Sequence, residues 1–346
     1  MARTRARSNR NPGRHHLGTG GRLRRNQQSL ALSHIDLGIS LTHDIIFDVI
    51  LPPLLFEAAL NLRWGELKRD AAPIMLLSIA GVLISSAVTY FGMRRLLAWP
   101  TAPAIMFAVL IAATDPVAVI ALFKDLGIKG RTRLLIESES LFNDGVAAVL
   151  FALALTWISN THQGAGLPWH LLFTMSGGGL LTGALVGLSA LLVAGRTGGH
   201  LVETAVTVAA SYGAFLLAEN LHFSGVLATV TAGLVVGVVG VRAAGQKLSL
   251  SRQGRVFALE FWEFLAFLAN SAVFLLIGVS ASRIHFNTLG YTSLCVTILL
   301  VLLGRAISIY PLSLVFRFSR WRIALALLWH FWLRGLCEEH LTVRAS

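Results

Sequence analysis

Acidic residues are scarce in this chain, 17 among 346, and cysteines are scarcer still, with two. Cys295 and Cys337 lie in or beside apolar stretches and show no ligand spacing, which excludes a disulfide framework and a zinc site. No glycine-rich phosphate loop is present, so nothing signals a nucleotide. No Gly-x-Ser-x-Gly or His-Glu-x-x-His pattern is present either, which argues against an intramembrane hydrolase and against an enzyme in general. The N-terminus has charges but no apolar run after them within the usual distance, so it is not an ordinary secretory signal. No cofactor is expected.

The low charged fraction, 13%, accompanies 55% hydrophobic residues and a mean hydropathy of +0.69. Those values lie outside the soluble globular range and point to an all-α, polytopic membrane protein. At roughly 20 apolar residues per crossing, ten spans are predicted: 44–62, 73–93, 103–123, 136–158, 169–194, 201–219, 223–241, 257–280, 290–315 and a weaker 322–336. Gly183/Gly187 and Gly233/Gly237 form two small-xxx-small patches, read as close helix packing within the bundle, with a dimer face as the other reading.

A net charge of +12 invites a nucleic-acid partner, but its distribution argues against one. Eight arginines crowd the first 25 residues, and most other basic residues sit in short loops. The loops after the first, third, fifth, seventh and ninth spans hold 15 basic residues, against 3 in the alternate loops. The positive-inside rule assigns the first set to the cytoplasm. That orientation leaves the arginine-rich tail outside, an unfavourable export; helices preceding this point, or a non-native tail, would account for it. The expected organisation is a basic tail over 1–34, a transmembrane domain over 35–336 and a short tail over 337–346.

A carboxylate at mid-bilayer costs about 2.5–3.5 kcal/mol on insertion scales, so each is a functional candidate. Asp115 lies near the centre of its span in Thr114-Asp115-Pro116. Pro116 removes a helix hydrogen bond, freeing carbonyls that, with the Thr114 hydroxyl and the Asp115 carboxylate, surround a small hard cation with oxygen. A proline kink with a capped aspartate is the other reading. In the next span Ser140 and Asp144 share one face at i, i+4 spacing, as do Glu139 and Asn143. Glu137 reads more simply as a solvated entrance charge. Glu57 follows the Pro52-Pro53 pair and is either a third cavity carboxylate or a snorkelling interface residue. Arg305, deep in the ninth span, cannot shed its charge and needs a carboxylate partner. Glu203, Glu219, Glu260 and Glu263 lie nearer helix ends and are read mostly as interfacial.

Burial disfavours the charged form of a carboxylate, and a bound cation favours it. Protons and a small cation therefore compete for the same oxygens, and a cavity open to one side at a time converts that competition into exchange. A cation channel would use the same carboxylates, but channels favour charge rings and carbonyl filters.

The stretches LPPLLFEAALNL (51–62), ATDPVAV (113–119) and ESESLFNDGVAAVLF (137–151) resemble the prokaryotic NhaP-type sodium/proton exchangers of the monovalent cation–proton antiporter superfamily. The resemblance implies a core of two inverted repeats with broken, crossing helices, a dimerising scaffold and hence a homodimer in the bilayer of a bacterial inner membrane. It implies exchange of Na⁺, or K⁺ or Li⁺, for H⁺, with regulation of intracellular pH and sodium. It makes Asp144 the main transport carboxylate, with Asp115, Ser140, Glu57 and the Thr114 carbonyl completing the cation site. Asn143 would steady Glu57, and Glu139 would pair with Arg305. The resemblance runs from about residue 44 to about 322, so the chain is expected to lack the family's terminal helices and to be either an exchanger or an inactive fragment of one.

Overall fold

The computed structural model describes residues 45–114, 131–160, 169–197, 199–242, 248–282 and 290–315. The predicted tails, the tenth span and Asp115 lie outside the described residues. Among them the secondary structure is entirely helical. A π-helical segment, Ile45–Ile50, leads into α1 (Leu51–Asn61), followed by short α2 (Trp64–Arg69), α3 (Ala71–Leu96), α4 (Thr101–Ala112), α5 (Arg131–Asn160) and α6 (Trp169–Ala194). Then come α7 (His200–Asn220), α8 (Gly225–Val235) with its π-wound continuation Val236–Arg242, α9 (Arg252–Ser282) and α10 (Tyr291–Val315). Eight of the first nine predicted spans coincide with these helices; in the remaining one, 103–123, the described helix stops at Ala112 and residues beyond Thr114 lie outside the described ones. Seven of the described helices are long and apolar enough to cross a membrane, and Thr101–Ala112 is a shorter apolar helix.

Two proline sites shape the backbone. Pro52 and Pro53 occupy the first turn of α1, where missing N–H groups matter least for that helix. They nonetheless deprive carbonyls four residues earlier of their donors. The hydroxyl of Tyr212 supplies one, donating to Val49 O at 3.0 Å, and its neighbour Ser211 donates to Pro52 O at 3.2 Å. The second site ends α4: Pro116 has no N–H to offer the Ala112 carbonyl, and the helix stops at Ala112 with Ala113 extended at ψ 146°.

Packing relies on small residues, as expected where lipid removes the hydrophobic drive between helices. Ala190, Ala194, Ala210, Ala214, Ala218, Ala228 and Ala232 are all buried, around Phe56, Leu60 and Trp262, where α1, α6, α7, α8 and α9 meet. A β-carbon on Gly183 or Gly187 of α6 would run into the backbone of α8 at Ala228 and Ala232. A β-carbon on Gly233 or Gly237 would meet α1 at Phe56 O and Leu60 O. Both glycine patches therefore serve packing inside the bundle. Large apolar side chains point outward instead: Leu181, Leu185 and Leu192 on α6, and Phe264, Phe267 and Phe274 on α9, are exposed, as suits a lipid-facing surface.

Polar contacts agree with the loop-charge topology. Arg131, before the fourth span, makes a two-pronged contact with buried Asp70, before the second, at 2.9 and 2.7 Å. Arg242, after the seventh span, donates to Asn61 O and Leu62 O at the end of the first. Glu203, opening the sixth span, accepts from Ser251 N and Oγ at 3.0 Å each, just before the eighth. Every one of these contacts joins ends assigned to the cytoplasm. Glu203 is 2% exposed and belongs to that packed layer at the helix ends.

Candidate ion site

The site forms where the broken end of α4 meets the middle of α5. The helix stops at Ala112, and Thr114 then lies against α5. Asn143, fully buried on α5, is the centre of the arrangement. Its Nδ2 donates to Thr114 Oγ1 at 2.7 Å and to Glu139 Oε1 at 3.2 Å, while its Oδ1 accepts the Thr114 N–H at 3.4 Å. The Thr114 and Ser140 hydroxyls are 3.4 Å apart. Thr114, Glu139, Ser140 and Asn143 thus converge as one cluster of oxygens and one amide.

Helical spacing explains the α5 side. Residues 139 and 143 are one turn apart, so the amide reaches back to the carboxylate, and 140 and 144 form the adjacent row. Asp144 is half-buried and close enough to Arg305 for electrostatic interaction. Arg305, at mid-length of α10, places Nη1 3.9 Å from Glu139 Oε1. A cation that cannot be discharged thus faces two carboxylates from a third helix, α10, whose Gly304 lies against Ser85 and Thr89 of α3.

The other predicted residues distribute as follows. Glu57 is half-buried on α1, and its Oε1 accepts Asn61 Nδ2 at 2.6 Å. Asn143 makes its hydrogen bonds to Thr114 and Glu139, a different partner set from the Glu57 contact implied by resemblance, because Glu139 is its i−4 neighbour. Glu137 is half-buried near the start of α5. Asp115 lies outside the described residues, one position beyond Thr114.

Two participants escape sequence reasoning. Ser78 of α3, fully buried, donates to the Glu139 carbonyl at 3.1 Å and fastens α5 beside the cluster. A lone serine in an apolar span carries no signal of this. Asn61 grips Glu57, and its i+4 spacing from that carboxylate was the available clue.

Residues 28–337 match the family model described as "Sodium/hydrogen exchanger, transmembrane". The chain is 38% identical over 290 residues to the Na(+)/H(+) antiporter ApNhaP of Aphanothece halophytica, an alignment covering 83% of this chain and 54% of that protein. It is 31% identical over 281 residues to the Na(+)/H(+) antiporter NhaP of Pseudomonas aeruginosa, covering 79% and 65%. The chain spans about half the length of ApNhaP and of the low-affinity Na(+)/H(+) antiporter NhaS1 of Synechocystis, 54% of each. Its fold is similar to that of the sodium proton antiporter MjNhaP1 from Methanocaldococcus jannaschii, with a TM-score of 0.65 over 79% of this chain and 65% of that one, at 21% identity.

Proposed function

The chain belongs to the transmembrane sodium/hydrogen exchanger family, and on that premise we propose that it exchanges a monovalent cation for a proton across a membrane. Sodium is the first candidate, since the relatives above are named as Na(+)/H(+) antiporters; the role that follows is regulation of intracellular pH and sodium. One observation carries the reading: Asn143 bonds the unwound chain at Thr114 to the helix that bears Asp144. A broken helix end packed against a carboxylate-bearing helix is the means by which secondary transporters build midplane ion sites.

In the proposed mechanism Asp144 is the exchanged carboxylate. Thr114 and Ser140 contribute hydroxyl oxygens, and the Thr114 carbonyl and Glu57 add further acceptors from the unwound strand and from α1. Asp115, the next residue in the chain after Thr114, is proposed as a further carboxylate of the same site. When sodium leaves, the carboxylates lose the charge that favoured their ionised form, and a proton takes its place. Glu139 stays outside this cycle, held by Arg305 and Asn143. Two copies of the chain, side by side in lipid, complete the proposed assembly.

The test is proton release from inside-out vesicles carrying a pH-sensitive dye, with sodium, lithium or potassium added after acidification. Cation-driven alkalinisation of the lumen that disappears in Asp144→Asn supports the exchanger. A cation current uncoupled from proton movement identifies a channel and contradicts it.

A further inference from the structure

Arg242 closes the π-wound end of α8, and its guanidinium grips the end of α1 by two backbone carbonyls, Leu62 O and, at 2.7 Å, Asn61 O. Carbonyls at a helix C-terminus have no partner within the helix, and Leu62 turns extended at ψ 131°, so α1 is cut off at Asn61. The winding of α8 matters here. At α-helical pitch, Arg242 stands about two and a half turns beyond Gly233 and faces away from α1. The wider i→i+5 turns over Val236–Arg242 hold the rotation back and return Arg242 toward the side on which Gly233 and Gly237 lie against α1.

That anchored end carries a candidate site residue. Asn61 offers its carbonyl to Arg242 and its side-chain amide, at 2.6 Å, to Glu57 Oε1. The rest of α1 is also fixed: Phe56 packs on Trp262 with ring centroids 4.5 Å apart, and Ser211 bonds Pro52 O. Glu57 has three rotatable side-chain bonds, and the Asn61 amide restricts the carboxylate by hydrogen-bonding one of its oxygens.

We propose that Asn61 and Arg242 are positioning residues for Glu57: Arg242 fixes the end of α1, and Asn61 transmits that fix to the carboxylate. This rests on Glu57 belonging to the cation site. The test compares sodium KM and kcat in vesicles bearing the full chain, with wild type, Asn61→Ala, Arg242→Ala, Arg242→Lys, Glu57→Gln and the double variant Asn61→Ala/Glu57→Gln. Asn61→Ala is expected to raise KM by about three- to tenfold, the range left by one lost hydrogen bond, and Arg242→Ala by no more than that, since it acts on Glu57 only through Asn61, with kcat within about twofold in both. Arg242→Lys, whose compact ammonium lacks the guanidinium's fixed fork, should fall between. In the Glu57→Gln background Asn61→Ala should add almost nothing, the non-additivity of coupled residues.

An unchanged KM in Asn61→Ala beside a raised one in Glu57→Gln overturns the positioning role and keeps Glu57 in the site. An unchanged KM in Glu57→Gln overturns both. Lower kcat and lower protein yield at constant KM reduce the contacts to helix capping and also overturn the proposal. If Arg242→Ala fails to accumulate, Asn61→Ala and Arg242→Lys decide the question. Sodium-dependent thermal stabilisation of the purified chain provides the same comparison as a Kd. A wild type that binds sodium but does not transport contradicts the exchange reading alone, while a Kd untouched by Asn61→Ala contradicts the positioning role alone.

Discussion

The side-chain amide of Asn143 lies 2.7 Å from the Thr114 hydroxyl and 3.2 Å from Glu139, so one residue joins the unwound chain after α4 to the ion-paired carboxylate of α5. Asn143→Ala removes all three of its hydrogen bonds and leaves the Thr114 N–H without its acceptor. Sodium-driven proton release should fall by at least about tenfold, from loss of hydrogen bonds that include one to a charged group. Initial rates in vesicles matched for membrane content check this.

Glu139 and Arg305 should behave as a unit. Removing one partner leaves the other's charge uncompensated by it in a low-dielectric setting, whereas removing both takes out the two charges together. Glu139→Gln and Arg305→Met are each expected to destabilise by about 3 kcal/mol. The double variant should recover at least half of that loss. Thermal unfolding of the purified proteins in one detergent provides the comparison.

Gly233→Val should disrupt the seam between α8 and α1, because even a β-carbon there lies 2.8 Å from Phe56 O and 2.9 Å from Ala59 Cβ. Overpacking of this kind costs about 1–3 kcal/mol. Gly81→Ala and Gly213→Ala meet nothing within 4 Å and should leave the unfolding temperature nearly unchanged.

Much of this fold was legible because its physics is one-dimensional. Helices in lipid satisfy their own backbone, so hydropathy located eight spans that coincide with described helices and the first half of another, 103–123, and loop charge sorted their ends. The break after Ala112 was readable from Pro116, and the glycine patches from their spacing. What escaped the sequence was lateral contact. Nothing in the chain says that Asn143 turns to Thr114 and Glu139, that Ser78 reaches the Glu139 carbonyl, or that Glu203 caps the turn at Ser251. Those pairings depend on helix rotation and close approach, which single-span patterns do not encode. The π winding that brings Arg242 back to α1 is equally invisible, since its residues read as an ordinary apolar helix.

Topology has its own test. Single cysteines introduced at Gly65 and at Ser249, in a background without Cys295 and Cys337, should react with an impermeant maleimide in inside-out vesicles. One at Ala98, beside Arg94 and Arg95, should react only in right-side-out vesicles. The reverse pattern would contradict the orientation assigned by loop charge.

The central claim is that proton and cation occupy the same carboxylate oxygens in turn. Its most direct test is the sodium dependence of exchange in inside-out vesicles, measured at several pH values. Competition predicts that the sodium KM rises steadily as pH falls while the maximal rate is unchanged, and that Asp144→Asn abolishes exchange at every pH. A sodium KM independent of pH, or full exchange in Asp144→Asn, would contradict the account.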